Sequence, residues 1–254
     1  MSRTISTRST WPWPRFVAHR GGGALAPENT LAAIKKGIEH GYRAVEFDVM
    51  LAADDVPVLM HDPDFGRTIH GRGSVATTSS LALTRMDAGA WFGAAYAGEP
   101  VPLYEDVVRF CRAHGVWMNV EIKPAEGHER RTGEVVGAMT GALFADEDDL
   151  SRLPLFSSFS SESLKGARTA GSRIARGLLV DAIADDSRDR LEALGCVALH
   201  CNHEKLDAGA AAEIMRSGYG LFAYTINDPE RARELLAWGV EALCTDRIDV
   251  IRAG

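Results

Sequence analysis

Short apolar segments alternate along the chain with longer segments whose apolar residues recur at helical spacing. The apolar segments have the length of buried strands, and each is followed by a polar turn and a candidate helix. Eight strand–helix units can be counted, and most successive strands begin roughly 20 to 37 residues apart. The predicted strands begin near Phe16, Ala44, Trp117, Pro154, Ile174, Cys196, Leu221 and Glu241.

Eight strand–helix units in 254 residues predict an α/β protein, a TIM (β/α)8 barrel that forms one domain over residues 1–254. A doubly wound open sheet is the alternative, but no Gly-x-Gly-x-x-Gly motif follows the first strand. The one long gap follows the second strand. We interpret residues 62–103 as a small inserted subdomain there, because glycine, serine, threonine and proline replace the periodic pattern.

The start of the helix after the first strand can be predicted from the sequence. Leu31, Ile34 and Ile38 lie on one face at helical spacing, and either Asn29 or Thr30 can cap the N-terminus. The pattern therefore predicts a helix that begins directly after these two polar residues.

Composition narrows the class of partner. The net charge of −7, the pI near 5.6 and the lack of a basic run argue against nucleic acid. No stretch approaches the roughly 20 apolar residues of a membrane span, so we expect no stable membrane insertion. The four cysteines have no metal-site spacing and predict buried, reduced thiols of a cytoplasmic protein. Whether the protein forms a homo-oligomer is left open.

The N-terminal residues lack the apolar run of a secretory signal. The sequence Trp-Pro-Trp-Pro at residues 11–14 predicts an extended segment that packs on the outside of the domain.

The second strand carries the strongest chemical signal. Val45, Phe47 and Val49 alternate with Glu46 and Asp48, so both carboxylates share one face of a strand. Two adjacent acids repel unless a cation, a proton or an arginine separates them. This arrangement is typical of a hard divalent ion with oxygen ligands, and a solvated strand edge is the alternative.

Polar residues also follow other apolar strands, where the carboxyl ends of barrel strands converge on one mouth. His19, Arg20, His61, Glu121 and Lys123 occupy such positions. Each has a structural alternative, such as an ion pair, a turn or a hydrogen-bonded histidine. Thr225 and Asp246 stay open between structure and function, and a structural role is favoured for the polar residues at 200–203.

The residue types together indicate the cleavage of a phosphate ester. Glu46, Asp48 and Glu121 would give three oxygen ligands for Mg²⁺ or Ca²⁺. Arginine and lysine suit an anion such as phosphate. Two histidines can supply a general acid and a general base near neutral pH.

Five short motifs, in order and spacing, resemble the glycerophosphodiester phosphodiesterases, in particular the bacterial, cytoplasmic type. They are His19-Arg20-Gly21, Pro27-Glu28-Asn29-Thr30, Glu46-Phe47-Asp48, His61-Asp62 and Glu121-Ile122-Lys123. The resemblance covers residues 16–250, nearly the whole chain. It implies a TIM barrel that hydrolyses glycerophosphodiesters, such as glycerophosphocholine, to sn-glycerol 3-phosphate and an alcohol.

The resemblance also implies residue roles. Glu46, Asp48 and Glu121 would be ligands of a divalent ion, Mg²⁺ or Ca²⁺. His19 and His61 would be the acid–base pair, and Arg20 and Lys123 would hold the substrate phosphate. Three further residues would support the site: Glu28, Asn29 and Thr225.

The sequence departs from the family pattern at two places. Tyr224 stands where the family usually has tryptophan, and Arg247-Ile248-Asp249 replaces an aromatic residue and a proline. Both departures concern alcohol specificity rather than the chemistry. A lysophospholipase D-type phosphodiesterase and a non-catalytic phosphodiester-binding module remain alternatives, and a metal-dependent sugar isomerase ranks last.

Overall fold

The computed structural model describes residues 11–252, which contain nine strands and eight α-helices. Strands β1 to β9 span Phe16–Ala18, Ala44–Leu51, Pro57–Leu59, Trp117–Ile122, Leu155–Ser158, Ala175–Val180, Ala198–Asn202, Gly220–Tyr224 and Ala242–Thr245. Helices α1 to α8 span Leu31–Glu39, Ser80–Leu83, Tyr104–Ala113, Glu129–Leu143, Ser161–Ala170, Ser187–Leu194, Ala208–Arg216 and Pro229–Ala237.

Eight of these strands are parallel and form a closed ring, because β1 pairs with both β2 and β9. The predicted TIM barrel is therefore confirmed, and its strands begin within two residues of the predicted positions. The remaining strand, β3, pairs antiparallel with β2 in the register Val49↔Leu59. It is an extra strand outside the ring.

The alternation along β2 decides which side chains face the barrel interior. Val45, Phe47 and Val49 belong to a buried apolar cluster that also contains Tyr104 and Val108 of α3. Since these residues point outward to the helices, the intervening acidic residues point into the ring.

The tryptophans at residues 11–14 correct the prediction of a segment on the outside of the domain. Trp13 lies 5.5 Å from Trp117, and Trp11 lies 6.3 Å from Phe222, measured between ring centroids. Both pack with the first residues of several strands, including Ala44. The segment therefore closes the N-terminal end of the barrel.

The chain between β3 and α3 contains α2 and several turns, and its Ile69, Val75 and Leu83 share an apolar cluster with Met50 of β2 and Val58 of β3. It is joined to the first helix, because Glu99 accepts a hydrogen bond of 3.0 Å from the backbone N–H of Ala32. This contact places the segment beside the carboxyl end of the barrel.

The four cysteines are buried as free thiols: Cys111, Cys196, Cys201 and Cys244. Within residues 11–252, no helix combines the length and the apolar character that a membrane crossing requires.

Candidate active site

A pocket of about 200 Å³ opens at the carboxyl ends of the strands. Eight of the predicted site residues line it: His19, Arg20, Glu46, Asp48, His61, Glu121, Lys123 and Thr225. The other two, Glu28 and Asn29, lie behind this lining and contact it through hydrogen bonds. The barrel therefore brings all ten predicted residues into one site.

Three carboxylates form the centre of the pocket. One oxygen each from Glu46, Asp48 and Glu121 lies within 4.8 Å of the others. Burial and the negative charge of Asp48 raise the pKa of Glu46 to about 7, and the same causes raise the pKa of Glu121 well above its ordinary value. Ionising all three groups near neutral pH is therefore unfavourable, and a cation bound between them would offset their repulsion.

Asp48 differs from its two neighbours because cations face it. Burial alone would raise the pKa of Asp48, but Lys123 and Arg20 outweigh it and lower the pKa. The Lys123 Nζ lies 3.6 Å from one carboxylate oxygen, and the Arg20 Nε lies 3.7 Å from the other. Asp48 is thus the carboxylate that stays charged most readily.

Asn29 and Thr30 divide two tasks that the sequence could not separate. The Thr30 hydroxyl accepts a hydrogen bond of 3.1 Å from the Ala33 N–H, so Thr30 caps α1. The Asn29 amide donates to the Asp48 carboxylate at 2.8 Å and accepts from the Asp48 N–H at 3.0 Å. Asn29 thereby fixes both the backbone and the side chain of Asp48.

Two residues beside the carboxylates adopt a backbone conformation that is rare outside glycine. Arg20 has φ of 49° and Asn29 has φ of 57°, at a cost of about 1–3 kcal/mol each. In this conformation the Arg20 N–H donates to the Glu46 carboxylate at 3.0 Å. The strained backbone conformation of Arg20 therefore directs its N–H toward the carboxylate cluster.

His19 is held by an acid from the last strand. Its Nδ1 lies 2.6 Å from Asp246 Oδ1, and the Asn227 amide donates to Asp246 Oδ2 at 3.1 Å. The pKa of Asp246 is lowered, since His19 outweighs burial, so the carboxylate accepts and Nδ1 carries the proton. Burial lowers the pKa of His19, but Asp246 and Glu46 raise it above its ordinary value.

His61 is held in the same manner by its neighbour in sequence. Its Nδ1 donates to Asp62 Oδ1 at 2.7 Å, which leaves Nε2 of a neutral ring free to accept a proton. Burial, together with the charges of Arg20 and Lys123, lowers the pKa of His61. The two histidines therefore differ: His19 keeps its proton more readily than His61.

Sequence reasoning singled out both Asp62 and Asp246 but did not pair either one with a histidine. Asp62 directly follows His61, and Asp246 lies at the end of the strand that closes the ring beside His19. In a closed barrel the last strand pairs with the first, so the residues that follow these two strands, Asp246 and His19, could have been expected to lie close together. His200 lines the pocket, stacks on Phe222 at 4.4 Å, and has a pKa that burial lowers to about 3.

The family model described as the glycerophosphoryl diester phosphodiesterase family matches residues 19–250. The chain belongs to this family. The predicted family is therefore confirmed, and with it the class of enzyme, a glycerophosphodiester phosphodiesterase.

Relatives of similar length support the membership. The YhdW protein of Bacillus subtilis is 30% identical over 93% of this chain and 96% of its own length. A glycerophosphodiester phosphodiesterase of Caldanaerobacter subterraneus is 26% identical over 94% and 98%. The structure of an Oleispira antarctica phosphodiesterase in complex with the product sn-glycerol 3-phosphate is 36% identical, with a TM-score of 0.84 over 92% of this chain and 93% of that one.

Tyr224, which stands where the family usually has tryptophan, lines the pocket of this glycerophosphodiester phosphodiesterase. The Tyr224 ring meets Phe159 edge-on at 6.4 Å, and its hydroxyl donates to the Val180 carbonyl at 2.8 Å. Phe159 is 53% exposed. These two aromatic rings face the space that a substrate would enter.

The carboxylate cluster predicts a pH-dependent affinity for divalent cations. A raised carboxyl pKa means that the ion-free site retains protons, and each proton must leave before its oxygen can bind an ion. We expect the affinity for Ca²⁺ or Mg²⁺ to fall as the pH decreases below about 7, the pKa of Glu46. Calorimetric titrations between pH 5.5 and 8 would measure both affinity and proton release.

Glu213→Gln, at an exposed position of α7, is the matched control and should keep the wild-type affinity, whereas Glu46→Gln should weaken it. An affinity that is constant over this pH range would contradict the assignment of these carboxylates as ligands.

Proposed function

We propose that the protein catalyses the metal-dependent hydrolysis of glycerophosphodiesters, such as glycerophosphocholine, to sn-glycerol 3-phosphate and an alcohol. One observation carries the proposal: a buried carboxylate cluster, two cations and two histidines held through Nδ1 meet in a single pocket. Each component suits one requirement of cleaving a phosphodiester.

The donor set fits a hard divalent cation. Glu46, Asp48 and Glu121 would hold Mg²⁺ or Ca²⁺ through carboxylate oxygens, which both ions prefer. A bound ion would offset negative charge on the phosphoryl oxygens. The mutual repulsion of the three carboxylates supports this assignment.

Arg20 and Lys123 would bind the substrate phosphate. The Arg20 Nη1 donates to Glu28 at 2.7 Å, which orients the guanidinium, while its Nε is buried without a hydrogen-bond partner among the described residues. Lys123 approaches the pocket from the opposite side of Asp48. An anionic phosphodiester would thus meet donors on two sides.

The difference between the two histidines suggests their roles. His61, neutral with a free Nε2, would accept the proton of the nucleophile as the general base. His19 would donate a proton to the departing alcohol as the general acid. The nucleophile is either water or the 2-hydroxyl of the glycerol, and the second route passes through a cyclic phosphate.

A lysophospholipid is the second candidate substrate, and the structure gives it less support. Its acyl chain would need an apolar mouth, and the inserted segment supplies Trp91, Phe92 and Tyr96 as candidates. These rings meet edge to face, with centroids 5.6 and 5.5 Å apart, and do not line the pocket. The aromatic residues that do line it are Phe159, Phe222 and Tyr224, in a pocket of only about 200 Å³, which suits a small alcohol group.

The protein's location is a further part of the proposal. We place it in the cytoplasm, because four buried free thiols are typical of a reducing compartment.

The proposed reaction predicts release of sn-glycerol 3-phosphate from glycerophosphocholine by the purified protein when Mg²⁺ or Ca²⁺ is present. Removing the ion with EDTA should abolish the release, and adding the ion back should restore it. A coupled assay for sn-glycerol 3-phosphate measures the reaction. Release at the same rate in EDTA would contradict the metal requirement. A folded protein that releases nothing with either ion, but cleaves lysophosphatidylcholine, would favour the second candidate.

The acid–base assignment predicts that His19→Ala and His61→Ala each lower kcat by about 10²–10⁴-fold, the range for general acid–base catalysis. His70→Ala is the control, because His70 is an exposed histidine of the inserted segment and should keep wild-type kcat. Steady-state kinetics with circular dichroism of each variant make the comparison. A folded His61→Ala protein with near wild-type kcat would remove His61 from the mechanism.

A further inference from the structure

Arg67, in the segment after β3, makes two charged contacts at the edge of the site. Its Nη1 and Nη2 donate to the two carboxylate oxygens of Glu28 at 2.6 and 2.7 Å. Its Nε donates to Asp62 Oδ2 at 2.5 Å. One guanidinium therefore holds two carboxylates, with all three donor nitrogens in use.

Each of these carboxylates uses a further bond to orient a residue that lines the pocket. Asp62 accepts from His61 Nδ1 through its other oxygen, at 2.7 Å. Glu28 Oε1 also accepts from Arg20 Nη1, at 2.7 Å. A continuous series of charged hydrogen bonds thus runs from the His61 ring through Arg67 to the Arg20 guanidinium.

We propose that Arg67 is a positioning residue that fixes His61 through Asp62 and Arg20 through Glu28. The inference rests on the proposed function, because it takes His61 as the general base and Arg20 as a phosphate ligand. Without Arg67, Asp62 and Glu28 lose the cation between them, and each carboxylate is free to rotate. The His61 Nε2 and the Arg20 guanidinium then lose a defined direction toward the substrate.

The chemistry of the contact requires arginine. A planar guanidinium presents donors in fixed directions, so it can bind Glu28 with two nitrogens and Asp62 with a third. The single nitrogen of lysine cannot reproduce that geometry. The Arg67 side chain is 45% exposed, so solvent screens its ion pairs, and its loss should affect catalysis more than stability.

The kinetic test compares Arg67→Ala and Arg67→Lys with Arg72→Ala. Arg72 is an exposed arginine of the same segment, and no ion pair of its side chain occurs within the described residues. We expect both Arg67 variants to lower kcat about tenfold and to raise KM for glycerophosphocholine, while each stays folded by circular dichroism. Arg72→Ala should match the wild type. Wild-type kcat and KM in Arg67→Ala would overturn the proposal.

A double variant separates positioning from a general structural effect. Asp62→Asn removes the carboxylate through which Arg67 reaches His61. In that background, Arg67→Ala should lower kcat no further, while its effect on KM, which runs through Glu28 and Arg20, should persist. If the decrease in kcat of the double variant equals the product of the decreases in the two single variants, Arg67 does not act on His61 through Asp62.

A measurement without turnover keeps this test independent of the proposed reaction. Nitrogen-15 NMR of the histidine rings should show His61 protonated at Nδ1 in the wild type and in Arg72→Ala. In Arg67→Ala the ring should shift toward a mixture of the two tautomers. Unchanged His61 signals in Arg67→Ala would overturn the proposal. If the wild type shows no turnover but the His61 signals still change in Arg67→Ala, the result would count against the proposed function and not against the positioning role of Arg67.

Discussion

Mutual repulsion among three carboxylates, two of them buried, is the constraint on which the rest of the site depends. Water cannot screen Glu46 and Asp48, which are only 4% and 2% exposed, so their charges must be offset by protein groups or by a bound ion. Arg20 acts on all three carboxylates and Lys123 on two, but only at Asp48 do the cations outweigh burial and lower the pKa. Glu46 and Glu121 retain raised pKa values, which indicates that the protein's own cations do not fully offset the negative charge of the cluster.

Closure of the barrel turns this cluster into a site. Because β9 pairs with β1, Asp246 comes within 2.6 Å of His19, although 227 residues separate them in the chain. The close approach at Gly23 helps to hold this junction: a Cβ there would lie 2.2 Å from the Asp246 carbonyl oxygen, so only glycine fits. The histidine on the other side of the cluster has a local partner, Asp62, which the inserted segment supports.

The features that the sequence predicted are those that depend on local periodicity or on the count of elements. A period of two along β2 placed its acids on one face, and eight strand–helix units indicated a closed ring. Capping chemistry could not separate Asn29 from Thr30, because both residue types cap helices and only the tertiary contact with Asp48 distinguishes them. The prediction placed Trp11 and Trp13 on the outside of the domain, because no periodicity in the sequence shows that they pack against the N-terminal end of the barrel. Arg67 lies in a segment without regular pattern, so its two partners emerge only from the fold.

The most direct test of the account is a crystal structure of the protein grown with Mg²⁺ or Ca²⁺ and sn-glycerol 3-phosphate. The proposed site predicts one ion bonded to an oxygen from each of Glu46, Asp48 and Glu121, at about 2.0–2.6 Å, with the phosphate beside Arg20. An ion bound elsewhere would contradict it. So would a cluster in which protonated carboxyls hydrogen-bond to one another while the phosphate binds without any ion.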